Sequence, residues 1–70
     1  MSKMKRMMHK ANELNADIKS MEKRLERYNA GDVVIRAAVG SQEKADKIAY
    51  ELIYKRGYLA CLADVIKGRL

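Results

Sequence analysis

The apolar residues Met4, Met7, Ala11, Leu14, Ile18, Met21, Leu25 and Tyr28 are separated alternately by three and four positions. At 3.6 residues per turn this spacing places them along one narrow line of a helix, the a/d seam of a heptad pattern sustained over more than three repeats. Charged residues flank the line: Glu13, Asp17, Lys19, Glu22, Lys23, Arg24, Glu26 and Arg27. A narrow stripe with charged shoulders demands a partner helix, because nothing else covers it without burying the shoulders. The seam therefore predicts a helix over residues 2–29. It ends at Asn29-Ala30-Gly31, where glycine suits the left-handed position after a helix C-terminus. The start is weaker. Lys3, Lys5, Arg6 and Lys10 sit where the helix dipole is already positive. Residues 1–8 are therefore expected to form a frayed basic arm ahead of a heptad helix over residues 9–29.

A second helix is predicted over residues 41–70. Ser41 is a good N-cap, Glu43 and Asp46 suit the first turns, and Lys67, Gly68 and Arg69 suit the end. This helix has two apolar faces. Ala45, Ile48, Ala49, Leu52, Leu59, Ala63, Ile66 and Leu70 gather within about 60° of one direction, with Arg56 interrupting them. Tyr50, Tyr54, Tyr58, Cys61 and Val65 gather on the opposite side. One neighbouring helix covers one face, so the other is expected to meet another chain or a ligand. Between the helices lie residues 30–40, AGDVVIRAAVG. The β-branched residues at 33–35 favour a strand. The competing reading is a short helix with Asp32 as N-cap. The predicted fold is a single all-α helical hairpin over residues 1–70, coiled-coil-like and self-associating, with a connector that carries one β-strand on the favoured reading.

Size strengthens the expectation of self-association. A chain of 70 residues without disulfides buries only roughly 60% of its unfolded surface, and two helices enclose no core. The expected oligomer interface comprises the seam residues Met7, Leu14, Ile18, Met21 and Leu25, together with Tyr50, Tyr54 and Tyr58. One cysteine and one histidine exclude a disulfide framework and a zinc site built from this chain alone. No apolar run approaches the ~18 residues of a membrane-spanning helix, and the basic N-terminus lacks the apolar stretch of a secretory signal.

Catalytic chemistry finds little support. His9 has Glu13 four residues on, a spacing compatible with acid–base work, but a solvated pair is the plainer reading. Cys61 has no base near it in sequence, so a small buried apolar residue is the plainer reading there. Gly31, Gly40, Gly57 and Gly68 are isolated and match neither phosphate loop nor dinucleotide fingerprint, so no cofactor is expected.

Two features suit binding. Lys3, Lys5, Arg6, His9 and Lys10 have no acid among them and form an anion-binding candidate for nucleic acid or a nucleotide, within a net charge of +6. Tyr50, Tyr54 and Tyr58, with Lys47 beside them, suit either a protein interface or base stacking. A basic arm ahead of a zipper is the bZIP layout, though this arm is short and lacks polar base-reading residues. Gly57 lies beside the tyrosines, where a helical glycine costs roughly 1 kcal/mol and invites the close approach of another backbone or ligand. Arg56 is expected to pair with an acid of the first helix or of a second protomer.

The charged heptad helix, the valine-rich connector and the stretch Tyr54-Lys55-Arg56-Gly57-Tyr58-Leu59-Ala60, followed by Leu62 and Asp64-Val65-Ile66, resemble short accessory proteins of tailed bacteriophages. The resemblance implies a non-enzymatic protein-binding accessory factor or inhibitor of host defence. Its partners would be itself and a host or viral protein, and its location the cytoplasm of a bacterial host or the virion. The helix–connector–helix plan is also similar to a miniature prefoldin subunit with shortened helices.

Overall fold

The computed structural model describes residues 2–69, the side chain of Arg69 excepted, and the described residues are almost entirely helical. Three helices follow one another: α1 (Lys3–Asn29), α2 (Val33–Val39) and α3 (Gln42–Arg69). The long α1 and α3 pack side by side as a hairpin. Asp17 meets Lys55 while Tyr28, farther along α1, clusters with Ala45, nearer the start of α3, so the two run antiparallel. The molecule is a rod of 45 × 18 × 16 Å with a radius of gyration of 15.0 Å. A compact chain of this length would have a radius of about 11 Å.

The heptad seam is the packed face of α1. Leu14, Ile18 and Tyr28 are buried, and Met4, Met7, Ala11, Met21 and Leu25 are half-buried. Across from it α3 buries Ala45 and Leu52 and half-buries Ile48, Ala49, Leu59, Ala63 and Ile66. These are the residues of the first expected apolar face; Leu70 lies outside the described residues. The cation on that face is Lys55 rather than Arg56. Its stem is half-buried against α1 while its Nζ reaches Asp17 Oδ2 at 3.4 Å. Arg56 turns to the edge, where its Nη2 donates to Glu22 Oε1 at 2.8 Å, the expected pairing with an acid of the first helix.

The connector is a helix, which corrects the favoured strand reading. Asp32 Oδ1 accepts from the amides of Val34 and Ile35 at 3.0 and 3.2 Å, satisfying two donors that a helix start leaves orphaned. A lone strand would have no ladder to satisfy them. The turn into α2 is set by Gly31 at φ 87°. The Gly31 amide donates to the Tyr28 carbonyl and the Asp32 amide to the Arg27 carbonyl, at 3.1 and 3.0 Å, closing the end of α1. Arg36 then clips α2 to that end. Its Nε donates to the Tyr28 carbonyl at 3.0 Å and its guanidinium lies 4.9 Å from the centre of the Tyr28 ring. Ile35 and Val39, one turn apart, face the Tyr28–Ala45 cluster. Gly40, at φ 97°, reverses the chain into α3, which Ser41 caps by accepting from the Lys44 amide at 3.2 Å.

The basic arm is helical and capped. Helix α1 begins at Lys3 because Ser2 caps it, its Oγ accepting from the Lys5 amide at 3.2 Å and its carbonyl from the Arg6 amide at 3.1 Å. Met1 lies outside the described residues.

Candidate functional site: the outward face of α3

Because α1 covers one side of α3, the other side is left open. Along it stand Tyr50, Ile53, Tyr54 and Tyr58, exposed to 75%, 64%, 73% and 45%. Gly57 and Cys61 lie on the same line and Val65 continues it. From residue 50 to 61 the centre of this face carries no charge: Glu51, Lys55 and Arg56 all lie on its shoulders or on the packed side. Asp46 borders the groove that Ala49, Tyr50 and Ile53 form at one end. Isolated exposed apolar residues are ordinary, but contiguous ones of this size on one helix face mark a contact surface. Tyrosine suits that use: its ring buries apolar area while its hydroxyl keeps a hydrogen bond.

The seam residues expected at an interface between copies are placed otherwise. Met7, Leu14, Ile18, Met21 and Leu25 are occupied by α3 of the same chain, which leaves Tyr50, Tyr54 and Tyr58 as the outward part of the expected set. Ile53 is an addition that the sequence reading omitted. Its signal was present, since it stands three residues after Tyr50 and four before Gly57, between the two faces that periodicity separated. Cys61 is a free, exposed thiol, which corrects the expectation of a buried one. Its position on the tyrosine side, rather than its apolar character, decides its exposure.

The anion-binding candidates do not converge with the tyrosines. Lys3, Lys5, Arg6, His9 and Lys10 are all exposed on α1 at one end of the rod. Lys47 is exposed near the other, roughly 20–25 Å from Lys10 along the axis by the rise per residue. His9 Nε2 lies 2.9 Å from Glu13 Oε1, the expected i, i+4 pair, with side chains 70% and 55% exposed. His9 stands on α1 and Cys61 on α3, where Cys61 is an exposed thiol. Among the described residues no group of three His, Cys, Asp or Glu side chains is placed to hold a metal ion, and no helix is long and apolar enough to cross a membrane. The other surface grooves are lined largely by charged side chains of α1, such as Lys19, Glu22, Lys23 and Glu26.

Compared with protein-family models, with curated proteins and with solved structures, the chain matches none of them.

Proposed function

We propose that this chain is a non-enzymatic binding protein whose working surface is the outward face of α3. It acts by protein–protein contact, self-associating through this face, as an accessory factor or inhibitor of the kind found in tailed bacteriophages whose assembled surface holds a host or viral protein in the bacterial cytoplasm or the virion. The observation that carries the reading is the pair of opposed apolar faces on α3: Leu52 is 6% exposed towards α1, while Tyr50 and Tyr54, two residues to either side, are 75% and 73% exposed away from it. Surface of that composition resembles the apolar, tyrosine-rich centre of an interface, with charge pushed to the rim.

Photo-crosslinking in bacterial cells tests it. A photoreactive phenylalanine analogue replaces Tyr54, and in a control replaces Lys19 on the charged side of α1. The expected result is one or a few adducts of defined mass from position 54, insensitive to nuclease, and none from position 19. No defined adduct at 54, or the same pattern from both positions, overturns the reading.

A second reading rests on the basic end of α1. The exposed cluster from Lys3 to Lys10 contains no acid, and Glu13 is the first carboxylate after it. It offers nucleic acid a sequence-blind electrostatic contact, without help from Lys47 or the tyrosines. Retention on heparin that weakens steeply with salt, and is lost when Lys3, Lys5, Arg6 and Lys10 become Gln, supports it. Elution at low salt by the unaltered protein rules it out.

A further inference from the structure

Building on the reading of this face as a contact surface, we infer that its occupant is a second copy of the chain. The copy lies antiparallel on α3, with Gly57 on the two-fold axis, to give a four-helix dimer with the two α3 helices inside.

Area supplies the first argument. The chain exposes 5519 Å². A compact monomer of 8.0 kDa exposes about 4,450 Å². The surplus of about 1,000 Å² exceeds the roughly 800 Å² per partner that a stable interface buries. The three tyrosines alone hold roughly 400 Å² of it.

The grading of side-chain size along the face sets the direction. Tyr50, Ile53 and Tyr54 are large and precede Gly57, whereas on the line beyond it Tyr58 is large and Cys61 is small. With Gly57 at the axis, Ile53 of one copy stands level with Cys61 of the other, and the two Tyr58 rings lie side by side beside the axis. A parallel arrangement sets Tyr50, Tyr54 and Tyr58 each level with its own copy, so the largest side chains meet one another at every level. Charge agrees. Asp46 and Lys67 lie on the same flank of α3 near its two ends. Antiparallel packing brings Asp46 to the level of the other copy's Lys67 on the same flank, an opposite-charge pairing that a parallel arrangement does not make.

Gly57 itself is the third argument. A Cβ built there meets nothing within 4 Å, so nothing in the protomer requires glycine at this interior helical position. Close approach of a second α3 backbone does require it.

Disulfide trapping tests the direction and sedimentation tests the copy number. The unaltered protein is expected to sediment at twice 8.0 kDa and, despite its exposed Cys61, to form little covalent dimer on mild oxidation. Ile53→Cys with native Cys61 should form covalent dimer at least roughly tenfold faster, because positions 53 and 61 then meet within the reach of a disulfide. Gly57→Ala, a better helix former that keeps the fold, should weaken dimerisation by roughly tenfold or more. Efficient Cys61–Cys61 trapping of the unaltered protein overturns the antiparallel arrangement. A monomer at about 100 µM overturns the second copy altogether, since micromolar affinity is well within reach of this area. In that case adducts from position 54 to another protein would still uphold the contact surface, so the two readings fail separately.

Discussion

Replacing Tyr54 by Ala separates the surface from the fold. The ring is 73% exposed, so in the protomer its removal takes away little packing. Alanine is also the better helix former by about 0.5 kcal/mol. The stability of the protomer should therefore change by no more than about 0.5 kcal/mol, as at most exposed positions. In a dimer the same ring is covered. About 150 Å² leaves the water per ring, which at about 25 cal/mol per Å² is roughly 3–4 kcal/mol, and symmetry counts it twice. Ordering the side chain returns about 1 kcal/mol for each ring. A net loss of roughly 5 kcal/mol would raise the dimer Kd by more than a thousandfold, and even half of it by nearly a hundredfold. Sedimentation velocity over a dilution series gives the Kd. Far-ultraviolet circular dichroism at a dilution where the unaltered protein is monomeric gives the helicity and Tm of the protomer. Loss of helicity in Tyr54→Ala at that dilution would place the ring in the protomer's own core and refute the assignment of two faces.

The hairpin and its tip make their own predictions. Leu14→Asp or Ile18→Asp puts a carboxylate on a buried seam position, 7% and 5% exposed. Either variant should largely unfold the chain, and native-like helicity in both would show that the seam is not the core. Asp32→Ala removes the acceptor for the Val34 and Ile35 amides. It should cost about 1 kcal/mol and melt α2 first, seen as faster amide exchange at 34–39 with little change in the middle of α1. Glu22→Gln breaks the contact to Arg56, but both side chains are about half exposed. Its effect in chemical denaturation should stay below about 1 kcal/mol, and a larger loss would mean the pair is shielded from solvent, as an interface would shield it.

Much of this arrangement was legible in the sequence, and the misses have identifiable causes. The seam from Met4 to Tyr28 was legible because long-range packing and local periodicity agree there: the positions that a 4-3 spacing selects are the ones α3 covers. The two faces of α3 were legible for the same reason. The connector was not. Valine and isoleucine at 33–35 prefer strand by tenths of a kcal/mol each, and that preference lost to the Asp32 cap and to the Arg36 clip on Tyr28. The clip joins residues eight apart through a backbone carbonyl, a contact that no side-chain pattern reveals. At the start of α1 the Ser2 cap opposes the unfavourable charge of Lys3, Lys5 and Arg6, a local contact that charge counting leaves out. Arg56 and Lys55 are neighbours only 100° apart, and a small rotation of α3 decides which faces α1.

The candidate site was legible only as a surplus. Sequence spacing shows that α3 has more apolar sides than one neighbour can cover, but it does not say which side the neighbour takes. The seam of α1 resolves this through size. Leu14, Ile18 and Leu25 are branched aliphatic residues, and the α3 face turned towards α1 is lined by aliphatic residues, the small Ala45, Ala49 and Ala63 among them. Set against three tyrosines instead, the same seam would meet rings too large for the spacing that these small side chains allow. The aliphatic face therefore goes inward and the tyrosine face outward, for a reason that lies in α1 as much as in α3. Exchanging Ala49 for Tyr would remove the size difference. The variant should lose the preference, populate two helix rotations and broaden its amide spectrum, whereas one sharp set of resonances would show that size is not what selects the outward face.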